Sequence, residues 1–351
     1  MLKIACLSIC DIWVVGLIHK GIFMSNKRVF WIDSLKGILM MLVVLGHTIQ
    51  YIFVDSFDNN HVWNYIYSFH MPAFMAVSGW LSYRVGGGKN RLSIIIRRFQ
   101  QLIVPYFAWE MIYRLLNGNL SGESLIKIFT HPYYWFLWVL FFIIVTFQFG
   151  DWLSVKYKIK QEIIIILLGL MFTAIMVIGE VRIFGFQFIA YYYVFYILGY
   201  YIHKYPKFLL SSNFCLIVMV VIWAIMAWFW NMHELPPFLV SIPLPKAMMQ
   251  YSYRFITGMI AIYVILCVAP KFMNIVSIWN KPLIELGKIS LGIYVVHLLL
   301  IPYITHFIVS FTNCFGTAII ISFVFAVAIS WMIVWLFGKW NLTSKLLLGK
   351  S

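Results

Sequence analysis

The chain has 351 residues, 63% of them hydrophobic and 11% charged, with a mean hydropathy of +0.92 and a formal net charge of +15. Soluble domains carry about 25% charged residues, so water is excluded as the main solvent, and no hydrophilic stretch is long enough to build a separate extramembrane core. In such a chain an excess of Lys and Arg is read first as topology, and no nucleic-acid partner is expected.

Within the first 24 residues, Asp11 splits the apolar run at 4–10 from that at 12–18, and neither half is long enough to cross about 30 Å of hydrocarbon. No small-residue cleavage pattern follows. The segment 1–24 is read as an upstream extension or an interfacial stretch with Met24 as a candidate start, and 25–351 as one membrane domain. Windows of about 20 apolar residues then place ten spans at 35–54, 66–83, 101–117, 133–150, 163–179, 187–203, 213–230, 251–269, 289–310 and 315–338. The expected fold is an all-α integral membrane bundle of about ten transmembrane helices.

Placing the segment before the first span in the cytoplasm puts 18 basic residues on the inside and leaves Lys127, Arg182 and Lys246 outside. A bland flanking of every span by basic residues predicts an even split, so this asymmetry puts both the N-terminal side and the C-terminus in the cytoplasm. The cysteines at 6, 10, 215, 267 and 314 lie in apolar stretches without metal-ligand or redox spacing and are expected to be packing residues; no metal is expected.

Ionisable side chains deep in a span are expensive and therefore mark candidate sites. They are His47 in the first span, His70 in the second, Glu110 and Arg114 in the third, Arg254 in the eighth and His297 in the ninth. The first span is the most informative. In WIDSLKGILMMLVVLGHT, Lys36 and His47 are eleven residues apart, so at 100° per residue they differ by 20° after three turns and share a face, roughly 16 Å apart along the axis. Asp33 falls near that face, one turn before Lys36.

A lone intramembrane histidine is often a hydrogen-bonded packing residue. A cation at the cytoplasmic mouth with an imidazole at depth points instead to group transfer, because imidazole can take a proton from a hydroxyl near neutral pH and a lysine suits the phosphates of an incoming donor. Arg91, Arg97 and Arg98 precede the third span; they read either as lipid-facing topology charge or as phosphate-recognising groups. Aromatics crowd the span ends, where interfacial belts account for most of them and sugar stacking for a few. No Walker loop, dinucleotide fingerprint, nucleophile elbow or zinc spacing is present.

The segment 31–47 resembles the first helix of bacterial acyltransferase family 3, and more closely its fucose 4-O-acetylase-like branch, which carries Arg or Lys, ten residues, then His. FHMPAFMAVSGW at 69–80, the basic stretch leading to Pro105 and Tyr106, YYWFLWVLFF at 133–142, YILGYYIHK at 196–204 and SLGIYVVH at 290–297 extend the likeness over the chain after residue 25. The resemblance implies a multi-pass enzyme of the bacterial inner membrane. It would pass an acyl group, usually acetyl, from cytoplasmic acyl-CoA to a hydroxyl of a surface polysaccharide or its lipid-linked precursor.

Carried over by position, His47 would be the catalytic base with Lys36 and Asp33 beside it, and Arg97 and Arg98 would bind the acetyl-CoA donor. His70, Ser78, Glu110, Trp135 and His297 are the substrate-binding candidates. Succinyl in place of acetyl, and direct transfer against an acyl-enzyme, stay open. The competing reading is a polysaccharide or proton-coupled transporter, for which internal repeats or broken helices are expected; no clear repeat relates 35–180 to 187–338. A third is a degenerate family member acting as an assembly partner, against which the retention of both Lys36 and His47 counts.

Overall fold

The structure is a computed structural model and describes residues 29–83, 90–118, 120–178, 183–209, 212–273, 280–312 and 314–350. The extension at 1–24, with Cys6, Cys10 and Met24, lies outside the described residues, as does Arg182. Among the described residues the chain is helical, with no strand. Fourteen α-helices follow in order: α1 Phe30–Ile52, α2 His61–Ser82, α3 Arg91–Arg98, α4 Val104–Leu116, α5 Gly122–Thr130, α6 Trp135–Tyr157, α7 Gln161–Ile178, α8 Phe186–Lys204, α9 Asn213–Trp228, α10 Lys246–Met273, α11 Asn280–Lys288, α12 Ser290–Val309, α13 Phe315–Phe337 and α14 Asn341–Leu348.

Among the described residues, six helical segments are long and apolar enough to cross a membrane: α1, α6, Ile183–Lys204, α10, α12 and α13. The other four apolar windows also fold as helix, but α2, α4, α7 and α9 are too short or too polar to meet the same criterion. Burial runs opposite to that of a soluble protein. The most apolar of the six, α13, is also the least buried, presenting Ile320, Val324, Phe325, Trp331, Met332 and Trp335 outward. An outward apolar face of this extent suits contact with lipid rather than water.

Two of the cysteines follow that inversion. Cys267 is buried as expected, but Cys215 and Cys314 are exposed, because the apolar stretches that carry them belong to the rim of the bundle rather than its core.

α1 is the axis of the bundle, packed against α2, α10, α11, α12 and α13. It starts five residues before the predicted span, because Trp31 and Ile32 are buried apolar residues and Asp33 supplies a carboxylate to the first turn, where the helix dipole favours it. Its closest neighbour is α11. Gly37 of α1 sits against the backbone of Leu283, and Gly287 of α11 against the backbone of Asp33, so closely that a Cβ at either glycine would overlap a carbonyl oxygen.

The third predicted span is one helical rod with a defect. Between α3 and α4 the residues Phe99–Ile103 form a π-turn, and Pro105 lies just inside α4. Proline has no N–H for the carbonyl four residues back, and a π-turn accommodates the interruption while shifting the phase of the side chains on either side.

Candidate active site

Among the described residues, α1 runs beside two cavities. The larger, of about 590 Å³, is lined by Lys36, Met40 and Val43, by Ser78 of α2, by Arg98 and Gln101 around the π-turn, and by Tyr294 of α12. The smaller, of about 240 Å³, is lined by Val43, His47, Gln50 and Tyr51 of α1, by Tyr67, His70 and Met71 of α2, and by Tyr133, Trp135, Tyr294 and Leu298. Lys36, Met40, Val43 and His47 advance by four, three and four residues, which is one face of a helix. Val43, Met71 and Tyr294 belong to both linings and so form the wall between the two spaces.

At the mouth, Lys36 Nζ lies 2.8 Å from Asp33 Oδ1. Asp33 is buried and absent from either lining, so it holds the ammonium in place rather than facing the space. The guanidinium of Arg98 donates to Gln101 Oε1 at 3.1 Å, and both residues face the larger cavity. Arg97, its neighbour in sequence, is exposed and lines neither cavity. Consecutive helical residues point about 100° apart, so this basic pair is divided between the cavity and the outside of the bundle.

At depth, three histidines converge. The rings of His47 and His297 are 5.4 Å apart, that of Tyr67 lies 6.3 Å from His47 and 4.6 Å from His70, and the Tyr67 hydroxyl donates to Gln50 Oε1 at 3.2 Å. His70 Nδ1 donates to the Ile66 carbonyl at 2.7 Å and His297 Nδ1 to the Ile293 carbonyl at 2.8 Å. A carbonyl can only accept, so in the neutral rings the proton sits on Nδ1 and Nε2 is left as a lone pair. The Nε2 of His297 is buried with no hydrogen-bond partner among the described residues. His297 lies behind His47, outside the lining itself. The three rings do not form a metal site: no group of His, Cys, Asp or Glu among the described residues is arranged to hold an ion.

Glu110 is not at either cavity, and the reason is electrostatic. Fully buried, its carboxylate pairs with Arg114, while Oε1 accepts the backbone N–H groups of Tyr133 at 2.6 Å and Tyr134 at 3.0 Å. Arg114 Nε in turn donates to the Ser124 carbonyl at 2.8 Å. The carboxylate is thus directed at these partners and lines neither cavity. It fixes the start of α6, from which the Tyr133 hydroxyl reaches Tyr51 at 3.3 Å and Trp135 faces the smaller cavity.

Ser78 lines the larger cavity, with its hydroxyl donating to the Phe74 carbonyl at 2.9 Å. Sequence reading missed the uncharged lining residues Val43, Gln50, Tyr51, Tyr67, Met71, Tyr133 and Tyr294, and it counted Lys288 and Lys350 only as topology charge. A signal existed for Gln50 and Tyr51, which continue the stripe from His47, and for Tyr294, one turn before His297.

The described residues thus form a helical bundle in which one face of α1 carries a lysine lining one cavity and a histidine lining the next. Residues 29–335 match the acyltransferase domain that defines acyltransferase family 3, and the chain belongs to that family. It is also similar to the nodulation protein NolL of Mesorhizobium japonicum, 34% identical over 33% of this chain and 34% of the relative, and to NolL of Sinorhizobium fredii, 32% identical over 33% and 35%. The match thus spans about a third of the length of these curated relatives. No solved structure matches.

Proposed function

We propose that the protein is an O-acyltransferase of the bacterial inner membrane that moves an acyl group, acetyl in the first instance, from cytoplasmic acyl-CoA to a carbohydrate hydroxyl. The acceptor is a surface polysaccharide or its lipid-linked precursor. The observation that carries this reading is the single stripe of Lys36, Met40, Val43 and His47, which runs from a basic cavity to a histidine-lined one. In this reading the ten helical segments all cross the bilayer, with the larger cavity and both chain ends on the cytoplasmic side.

The donor's phosphates sit against Lys36 and Arg98, and its pantetheine arm runs along the stripe past Val43, Met71 and Tyr294. The thioester then lies beside His47. The acceptor hydroxyl enters the smaller cavity among Tyr51, Tyr67, Tyr133 and Trp135. His47 takes the hydroxyl proton, the oxygen attacks the thioester carbonyl, the C–S bond breaks, and the departing thiolate takes the proton from the imidazolium. Aromatic rings at this depth suit sugar faces, which combine apolar C–H surface with hydroxyls.

The test is transfer of radiolabelled acetyl from acetyl-CoA into envelope glycan by membranes carrying wild type, His47→Ala or Lys36→Ala. Label that forms with wild type and disappears with His47→Ala supports the proposed base. No label from any form, with acetyl-CoA and then with succinyl-CoA, would move the assignment to a transporter.

A further inference from the structure

The larger cavity has a wall that lies outside the residues matching the family. α14 and the two residues after it are C-terminal to position 335, yet Leu348, Gly349 and Lys350 line the space. This segment is built in rather than draped. Leu348 is buried, the Leu347 carbonyl accepts from Trp109 Nε1 at 2.8 Å, and Gly349 takes a left-handed conformation with φ of 62°. That turn sends the Lys350 N–H back to the Ser344 carbonyl at 3.0 Å, a helix-closing arrangement that fixes the direction of the last residues.

Gly349 lies directly on the carbonyl of Gln101, the one that Pro105 has no N–H to satisfy, and a Cβ at 349 would overlap it. A side chain there is therefore excluded twice, by φ and by contact.

The charges around this cavity are one-sided. Lys36, Arg98, Lys288 and Lys350 line it, and no Asp or Glu among the described residues does. Cytoplasmic topology asks only that basic residues lie near the membrane; it does not ask them to converge. On the same C-terminal stretch, Lys339 stacks over Trp335 at 3.6 Å and Lys345 is exposed, neither of them lining the cavity. Lys288 is carried by α11, the helix locked to α1 through Gly287, and it is held by Glu285 at 2.5 Å, as Lys36 is held by Asp33.

Resting on the donor reading above, we infer that Lys288 and Lys350 complete the phosphate-binding end of the donor site, and that α14 is the wall that presents Lys350. The ligand they recognise is the multiply phosphorylated nucleotide end of the donor, which lysines bind as point charges. Thioester and acyl group lie beyond their reach, past the far wall of the cavity.

The experiment uses the purified full chain in detergent. Affinity for coenzyme A is measured by calorimetry, and transfer kinetics are measured with acetyl-CoA and with acetyl-pantetheine, a thioester that lacks the nucleotide phosphates. Lys350→Gln and Lys288→Gln are each expected to weaken coenzyme A binding and raise KM for acetyl-CoA about 3- to 10-fold, leaving kcat and all kinetics with acetyl-pantetheine unchanged. Equal losses with the two donors would assign the lysines a structural role and overturn the inference. So would wild-type affinity in both variants while wild type itself binds. A wild type with no affinity for coenzyme A would overturn the donor reading, and this inference with it.

Discussion

Gly287 of α11 rests on the backbone carbonyl of Asp33 in α1, with no room between them for a methyl group. This contact sets the position of the carboxylate that holds Lys36, so the geometry of the cavity mouth is decided by a residue with no side chain. Gly287→Ala is expected to cost about 1–3 kcal/mol of stability through overpacking and to lower the thermal unfolding midpoint followed by circular dichroism in detergent. An unchanged midpoint would show that α11 can move away from α1 without loss.

The Glu110–Arg114 pair should reveal itself as a clamp. Glu110→Gln leaves a buried guanidinium short of its counter-charge, with an expected loss of about 3–5 kcal/mol. Glu110→Leu combined with Arg114→Met should lose less than the single change, because no charge is stranded. Chemical unfolding of the two forms compares them directly, and a double variant worse than the single one would mean that holding Tyr133 and Tyr134 outweighs the charge term.

Because Lys36 and His47 face different cavities, binding and chemistry should separate. His47→Gln is expected to lower acyl transfer by about 10²- to 10⁴-fold, the usual contribution of a general base, with coenzyme A affinity unchanged within about twofold. Loss of affinity in that variant would place the donor's nucleotide end deeper than the larger cavity.

The shared wall supplies a second separation. Val43→Trp fills the passage between the cavities and is expected to abolish transfer while leaving the contacts of the nucleotide end in place, so that calorimetry on the same preparation shows coenzyme A binding weakened but retained. Wild-type transfer in this variant would show that the thioester reaches His47 by another route.

The backbone periodicity of α1 was readable in advance because an α-helix repeats on a fixed angle, so the common face of Lys36 and His47 needed no tertiary information. The apolar windows were readable for the same reason, each falling on a helix. Three features were not. The different surroundings of Arg97 and Arg98 depend on which face of α3 meets the larger cavity, a matter of tertiary packing that has no compositional signal. The role of Glu110 depends on backbone amides of Tyr133 and Tyr134, 23 and 24 residues away, and backbone groups are invisible to residue typing. The short helices α5, α11 and α14, of 9, 9 and 8 residues, carry too few turns to show a hydrophobic window, although α11 and α14 supply part of the cavity wall.

Val43, Met71 and Tyr294, all buried, stand between a basic chamber and a histidine chamber. In the proposed setting, between two compartments held at different electrical potential, an open passage lined by lysine and imidazole would drain the gradient. Three uncharged side chains would then act as an insulator across that path, one that a slender acyl-bearing arm could part and seal around while hydrated ions stay out. On that reading, group transfer and electrical tightness would be reconciled in the same few ångströms of helix α1.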